Sequence, residues 1–287
     1  MKPPPFDYVA VKTIDEALGA LADGGEDAKV LAGGQSLIPL MSLRLARPSL
    51  LVDITRVSDL GTVTRDGDRL TIGATVRHRQ AERSTEVRTA VPLIAEAMPH
   101  IGHAAIRSRG TIGGSLAHSD PAAELPSVAL ALEATFTVRS RDRGERTITA
   151  EDFFQGYFTT AIEPDELLTS VSFPVAGSGS GFALEEVARR HGDFAMVGTA
   201  VAVTVADGKV ASARIALINA AERPVRAVEA EHALASGASF AETGAAAAAT
   251  LEPSGDLHAS PAYRRKVAAV CVRRALERAV AQATESA

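Results

Sequence analysis

The sequence contains two separate diglycine stretches, Ala32-Gly33-Gly34-Gln35-Ser36 and Thr111-Ile112-Gly113-Gly114-Ser115. Glycine lacks a Cβ and takes positive φ readily, so paired glycines let consecutive backbone N–H groups converge on an anion. The hydroxyls of Ser36, Thr111 and Ser115 add neutral donors. Neither stretch contains Lys or Arg, which fits a diphosphate held by amides better than a phosphoryl group in transfer. The two stretches therefore predict a bound dinucleotide.

Each stretch taken alone is also typical of an ordinary tight turn, because Gly-Gly pairs mark loops in many folds. Their shared Gly-Gly-polar ending, followed in both cases by an apolar segment, favours ligand binding for the pair. The Rossmann, P-loop and H-E-x-x-H patterns are all missing, so the usual nicotinamide, nucleoside triphosphate and zinc sites are not expected. A serine-hydrolase elbow is not expected either, because Gly113-Gly114-Ser115-Leu116-Ala117 ends in Ala instead of Gly.

The composition is that of a globular protein with a large core, since 46% of the 287 residues are hydrophobic. A net charge of −5 argues against a nucleic-acid partner. The single cysteine, Cys271, excludes an intrachain disulfide and a thiolate-held cluster, so any iron–sulfur cluster belongs on another chain. The N-terminus does not resemble a signal peptide and no apolar run is long enough to span a bilayer, so the cytoplasm is the expected location.

Sequence patterns predict an α+β fold. Thr13 and Glu16 form a capping-box pattern that opens a helix over 13–23. Further helices are expected at 91–98 and 126–132, with a loop over 100–110. Strands are expected at 28–31, 50–53, 69–73, 135–139 and 167–173.

A second, smaller domain is expected after the flexible segment Gly177-Ser178-Gly179-Ser180-Gly181. Three strands at 182–187, 197–205 and 210–219 are followed by helical patterns at 227–234 and 245–249. A last long helix begins at Ser260-Pro261. The expected domains are 1–176, with subdomains of about 1–56 and 57–176, and 177–287.

Polar side chains after the second diglycine stretch are candidates for ligand contacts. Asp120 and Glu124 can accept hydrogen bonds from the hydroxyls of a ribose or ribityl chain. The histidines and carboxylates between His100 and Glu124 also suit a metal ion. Hydrogen bonding is favoured for them, because such residues near a phosphate turn more often serve that purpose. Phe194, in Arg189-Arg190-His191-Gly192-Asp193-Phe194-Ala195, is either a core residue or an aromatic that stacks on a flat ring.

Together these residues resemble the flavoprotein (medium) subunits of molybdenum hydroxylases, a family that includes those of aerobic carbon monoxide dehydrogenase and, more distantly, xanthine dehydrogenase. The resemblance covers essentially the whole chain. It is carried by the following pieces: 31–39 (LAGGQSLIP), 109–117 (RGTIGGSLA), Asp120-Pro121, 161–168 (AIEPDELL) and 192–195 (GDFA).

The resemblance implies an FAD-binding domain of the vanillyl-alcohol-oxidase (PCMH) type in two subdomains, followed by a smaller domain of a three-stranded antiparallel sheet with helices. It implies that 32–36 and 111–115 hold the pyrophosphate, Glu124 the ribityl chain and the backbone near Leu168 the isoalloxazine edge. No catalytic side chain and no metal ligand are expected. The cofactor-binding residues expected in full are Ala32, Gly33, Gly34, Gln35, Ser36, Leu37, Thr111, Ile112, Gly113, Gly114, Ser115, His118, Asp120, Glu124, Leu168, Asp193 and Phe194.

The resemblance also implies partner chains. A small subunit would carry two 2Fe–2S clusters and a large subunit the molybdenum cofactor, in a dimer of heterotrimers that passes electrons through FAD to an external acceptor, with membrane association only through that acceptor. The aerobic carbon monoxide dehydrogenase type is the expected one. Because Phe194 stands where Tyr is expected and Gln35 where His is common, purines, N-heterocycles and aldehydes stay open as other substrates. The alternatives are a self-sufficient flavin-dependent reductase of the same fold and a flavin-free docking subunit.

Overall fold

A three-stranded parallel sheet packed on one helix forms the N-terminal part of the protein in the computed structural model, which describes residues 2–286. The strand order is β1-β3-β2, and the Thr13 hydroxyl accepts from the Glu16 N–H at the start of the helix. The Glu16 carboxylate accepts from the Lys12 N–H, so it does not close the expected capping box on Thr13. The elements are β1 (Asp7–Ala10), α1 (Ile14–Gly24), β2 (Ala28–Leu31), α2 (Leu37–Ser42) and β3 (Leu50–Asp53).

A five-stranded antiparallel sheet and a group of short helices form the middle part, with strand order β4-β5-β10-β6-β7. Its core contains Phe136 stacked on Phe153 with ring centroids 3.8 Å apart. The elements are β4 (Val63–Asp66), β5 (Arg69–Gly73), α3 (His78–Arg83), α4 (Thr85–Ala90), α5 (Pro92–Ala97), α6 (Ala104–Arg107), α7 (Ile112–His118), α8 (Glu124–Ala131), β6 (Thr135–Ser140), β7 (Gly144–Thr149), α9 (Ala150–Phe153), β8 (Phe154–Gly156), β9 (Thr159–Thr160) and β10 (Glu166–Pro174).

The C-terminal part is a four-stranded antiparallel sheet covered by helices. The expectation of three strands is wrong, because Val225–Arg226 adds a short edge strand paired with Ala216 and Leu217. Two residues are too few to show a periodicity in sequence. The elements are β11 (Ser180–Val187), β12 (Val197–Ala206), β13 (Lys209–Ile218), β14 (Val225–Arg226), α10 (Val228–Ala235), α11 (Phe240–Ala249) and α12 (Pro261–Ser286).

The core is continuous between the middle and C-terminal parts. Phe182 and Leu184 of β11 belong to the same buried cluster as Leu93 of α5 and Phe136 of β6. The segment expected to be flexible already contains the first residues of β11, and α6 lies within the expected loop 100–110. Met1 and Ala287, the outer ends of the expected domains, lie outside the described residues.

Candidate functional site

The first diglycine stretch is a loop between β2 and α2 whose amides are free to bind a ligand. Gly34 has a φ of +72°, which glycine adopts without steric cost. The Gln35 side-chain amide donates to the Gly33 carbonyl at 3.3 Å and braces the loop. Among the hydrogen bonds of residues 2–286, none uses the backbone N–H of Gly33, Gly34, Gln35 or Ser36. These donors can therefore converge on an anion.

The two diglycine regions meet at Gly33. A Cβ at this position would lie 2.7 Å from the Cα of Gly110 and closer still to the carbonyl oxygen of Arg109. Gly110 is equally confined, since a Cβ there would lie 2.9 Å from Nδ1 of His78. Burial lowers the pKa of His78 to about 4, so its imidazole is neutral. The missing side chains at both glycines allow the loop to close against the residues that precede α7.

The second diglycine stretch is the first turn of helix α7. Its backbone N–H groups donate within the protein, Ile112 to Val76 O, Gly113 to Ala74 O and Gly114 to the Thr111 hydroxyl. The prediction that this stretch offers consecutive free amides is therefore wrong, because two of them donate to the carbonyls of Ala74 and Val76 and the third to the helix-capping hydroxyl of Thr111. Gly113 instead permits close packing, since a Cβ there would lie 2.6 Å from the Cα of Ala74.

A cavity of about 650 Å³ runs past both diglycine regions. This volume lies within the range of about 300–1,000 Å³ that is usual for small-molecule sites. Ile112 does not line the cavity; its side chain is fully buried in the hydrophobic core. The other expected site residues all line it, namely Ala32, Gly33, Gly34, Gln35, Ser36, Leu37, Thr111, Gly113, Gly114, Ser115, His118, Asp120, Glu124, Leu168, Asp193 and Phe194.

Three titratable side chains on the cavity wall differ in environment. Glu124, the first residue of α8, is 6% exposed, and burial followed by the negative charge of Glu186 raises its pKa to about 8. Glu124 is therefore protonated at neutral pH and can both donate and accept a hydrogen bond. Burial also lowers the pKa of His118, whose ring lies 5.0 Å from that of Phe158. Asp120 uses one oxygen to accept from the Ala122 N–H at 2.9 Å.

A loop of the C-terminal part reaches the rim of the cavity. Gly192 has a φ of +84°, and a Cβ there would lie 2.8 Å from the carbonyl oxygen of Gly102. Hydrogen bonding from Arg190 lowers the pKa of Asp193, so this carboxylate is already engaged. Phe194 is 66% exposed, which leaves its ring free to cover a ligand. Its stacking on a flavin stays a prediction.

Phe158 and Glu166 are among the cavity-lining residues that sequence reasoning did not single out. Phe158 lies on the rim with a φ of +52°, which no sequence signal reveals for a phenylalanine. Glu166 is 4% exposed and accepts from Arg146 at 2.8 and 2.7 Å and from the Glu163 N–H at 2.9 Å. Glu166 belongs to the quoted piece 161–168, but its sequence position does not show that it is buried and paired.

Within residues 2–286, no helix has the length and apolar composition required to cross a bilayer. In the same part of the chain, no group of three or more His, Cys, Asp or Glu side chains is arranged to hold a metal ion. The Lys, Asp and Glu residues that line the cavity are Lys29, Asp120, Glu124, Glu163, Glu166 and Asp193.

Two family models match most of the chain. Residues 4–176 match the FAD binding domain in molybdopterin dehydrogenase, and residues 182–279 match the CO dehydrogenase flavoprotein C-terminal domain. The first match covers more than half of the chain. It includes the free amides of the first diglycine loop, helix α7 and Leu168.

Individual relatives match over similar lengths. The chain is 44% identical to the alpha subunit of the 6-hydroxypseudooxynicotine dehydrogenase complex of Paenarthrobacter nicotinovorans, over 99% of this chain and 97% of that one. It is 45% identical to the beta subunit of caffeine dehydrogenase of Pseudomonas sp. strain CBB1, over 79% and 77%. A solved structure of carbon monoxide dehydrogenase from Hydrogenophaga pseudoflava superposes with a TM-score of 0.95 at 40% identity, covering 98% of this chain and 99% of that one.

Proposed function

Because this chain belongs to the family of FAD-binding medium subunits of molybdenum hydroxylases, we propose that its FAD takes electrons from the 2Fe–2S clusters of a small partner subunit and passes them to an external acceptor. The observation that carries the proposal is the loop over 33–36. This loop has free backbone donors and lines a cavity large enough for a cofactor. It contains no cationic side chain.

The residues present fit FAD chemically. We propose that the 33–36 amides hold the pyrophosphate, since these residues line the cavity and no hydrogen bond within residues 2–286 uses their backbone N–H groups. Protonated Glu124 and the remaining oxygen of Asp120 suit ribityl or ribose hydroxyls. The Leu168 backbone and Phe194 are proposed to border the ring. The redox chemistry is that of the flavin, and this chain binds, orients and shields it.

The assembly proposed here rests on the family to which the chain belongs, with a small partner for the iron–sulfur clusters and a large partner for the molybdenum cofactor. The chain's own content agrees with it, since one buried cysteine, Cys271, cannot hold an iron–sulfur cluster. A dimer of such heterotrimers is the proposed form. The proposed domain division is 1–176, with subdomains of about 1–56 and 57–176, and 177–287. Gly177 begins the connecting segment.

For the substrate of the complex, the comparisons favour a nitrogen heterocycle over carbon monoxide. Relatives named for 6-hydroxypseudooxynicotine and caffeine are 44% and 45% identical, and the carbon monoxide dehydrogenase structure is 40% identical. Both named compounds contain a nitrogen heterocycle. The substrate is bound on the proposed large partner, so side chains of this subunit do not select it.

The test compares the purified complex with the isolated chain under anaerobic conditions. Oxidisable substrate added to the complex should bleach first the iron–sulfur absorption and then the flavin absorption. The isolated FAD-loaded chain should show no substrate-dependent bleaching. A complex carrying Gly33→Ala should still reduce its clusters but lose acceptor reduction in proportion to lost FAD. Turnover by the isolated chain would overturn the proposal in favour of a self-sufficient reductase.

A further inference from the structure

Three titratable side chains, one at the protein surface, one in the interior and one on the cavity wall, form a row of decreasing exposure. His100 ends a short 3₁₀ turn after α5, and 34% of its side chain is exposed. Its Nδ1 lies 3.0 Å from Oε1 of Glu186, a residue of β11 that belongs to the C-terminal part. The Glu186 side chain is only 7% exposed. The pair therefore leads from solvent into the protein interior, across the boundary between the two proposed domains.

The second carboxylate oxygen of Glu186, Oε2, is buried and has no hydrogen-bond partner in the part of the chain that the structure describes. The residue opposite Glu186 on β12 is Gly198, where a Cβ would lie 2.8 Å from the Cβ of Glu186. The missing side chain at Gly198 keeps the space beside Glu186 clear. An unpartnered buried carboxylate oxygen is costly, which points to a use outside stability.

Glu124 forms the inner end of the row. It lines the cavity and is 6% exposed. Burial has the largest effect on the pKa of Glu124, and among side chains the charges of Glu186 and His100 have the next largest effects. The three groups therefore lie within electrostatic range of one another. The row thus has a solvent-facing imidazole, a buried carboxylate and a carboxyl on the wall of the cavity.

Reduction of a flavin takes up protons as well as electrons, whereas iron–sulfur clusters deliver electrons alone. We propose that His100, Glu186 and Glu124 form a proton-transfer chain that carries protons from solvent to the FAD cavity. The proposal rests on the proposed function, in which the electrons come from the partner's clusters. His100 takes a proton from water at Nε2 and gives one from Nδ1 to Glu186 Oε1. Rotation of the Glu186 carboxyl group then moves this proton to the position of Oε2, from which it passes toward Glu124. Glu124 takes it on its unprotonated oxygen and gives its own proton to the cavity, so charge and protons balance.

Charged groups around the proton-transfer chain affect the pKa values of His100 and Glu124. The hydrogen bond to Glu186 raises the pKa of His100, and the charge of Glu96 raises it further. Glu96 itself is occupied, since it accepts from the Leu184 N–H at 3.0 Å and pairs with Arg278. Asp120 acts on Glu124 from the cavity side. These charges keep His100 protonated over a wider pH range, which makes it a suitable entry point for protons.

The test measures proton uptake in the intact FAD-loaded complex. The flavin is reduced anaerobically by a one-electron dye, reduced methyl viologen, while a pH indicator in weakly buffered solution records protons by stopped flow. In the wild type, uptake should coincide with flavin bleaching. His100→Ala and Glu186→Gln should slow uptake by on the order of 10²-fold. Imidazole added to the solution should restore His100→Ala but not Glu186→Gln or Glu124→Gln.

His232→Ala, which removes an exposed histidine of α10 away from the cavity, is the control and should behave as the wild type. FAD content verifies that each variant has folded. Uptake at the wild-type rate in His100→Ala and Glu186→Gln would overturn the proton-transfer chain and leave the proposed function intact. Slowed uptake in His100→Ala that imidazole does not restore would also overturn it, because a structural role would then explain the loss. A wild-type complex without reducible FAD would overturn the proposed function itself.

Discussion

The missing side chain at Gly33 controls whether the cofactor loop can close. In Gly33→Ala, the new methyl group would press against the backbone of Arg109 and Gly110. We expect the loop to shift at a cost of about 1–3 kcal/mol, which weakens FAD binding roughly tenfold or more. FAD affinity is measured by fluorescence titration of the FAD-free chain.

Gly19→Ala is the matched control for this substitution. Gly19 lies in α1 with no atom within 4 Å of a Cβ. Its replacement should leave FAD affinity unchanged and stabilise the chain by about 0.5–1 kcal/mol, since alanine is the better helix former. Equal FAD affinity in the two variants would contradict the close approach at Gly33.

Glu124 should make stability depend on pH in the direction opposite to that of an ordinary ion-paired carboxylate. Because its pKa is raised to about 8, the folded protein resists ionisation that the unfolded chain undergoes near the ordinary glutamate value. The stability associated with the neutral group is fully present below the unfolded pKa. It is lost as the pH rises through about 8.

Glu124→Gln should therefore remove part of this dependence in the FAD-free chain. We expect the free energy of unfolding to rise relative to the wild type at pH 8, by on the order of a few kcal/mol, and to differ little near pH 4. Urea unfolding at both pH values measures it. Glu145→Gln, an exposed position on β7, should change neither. A variant less stable than the wild type at pH 8 would show that Glu124 is ionised in the folded state.

At the scale of elements, the cap of α7 holds the second diglycine stretch in place. Thr111→Val removes the hydroxyl that accepts from the Gly114 N–H at 3.0 Å. We expect a loss of about 1 kcal/mol of stability together with weaker FAD retention, because α7 lines the cavity. Thr149→Val removes the equivalent cap of α9, where the hydroxyl accepts from the Asp152 N–H at 3.3 Å. Thr149→Val should lower the free energy of unfolding by a similar amount but leave FAD retention unchanged. Loss of FAD in both variants would contradict the claim that the α7 cap acts on the cavity locally.

Elements with strong local signals could be predicted from sequence, and those set by tertiary contacts could not. The capped helix α1 and the β-branched, largely buried strand β12 lie within a few residues of their expected positions. The edge strand β14 and the one-turn helix α6 are too short to show a period. The second diglycine stretch was expected to be an open turn, but packing of Gly113 on Ala74 allows it to be helical.

At the scale of the whole molecule, the close packing of α12 on β11 stabilises the C-terminal part. In Gly181→Ala, the methyl group would overlap the carbonyl oxygen of Ala279 and lie 2.8 Å from the Cβ of Ala283. We expect a loss of about 1–3 kcal/mol. Because the core is continuous from β11 to α5, the whole unfolding transition should shift to lower temperature in circular dichroism.

Gly156→Ala is the control, since no atom lies within 4 Å of a Cβ at that position. Its stability should stay within about 0.5 kcal/mol of the wild type. A separate early transition in Gly181→Ala would contradict the continuous core.

The sequence could not predict which residues that lie far apart in the chain come together at the site. The spacing of the two diglycine stretches does not show that Gly33 touches Gly110. Similarly, no local pattern connects His100 with Glu186, which lie 86 residues apart in the chain. The positive φ of Gly34 was predictable from its residue type, because glycine geometry is a local property. Free amides were not, since similar residues in the second stretch donate within the protein.

The electron-transfer role of the proposed FAD is tested by the visible absorbance spectrum of the protein purified with the chains that accompany it, followed by release and identification of the chromophore. We expect FAD together with iron–sulfur absorption in one complex. Flavin without any iron–sulfur partner would contradict it and favour a self-sufficient reductase. A folded protein that neither contains nor takes up FAD would contradict it and leave only a docking subunit.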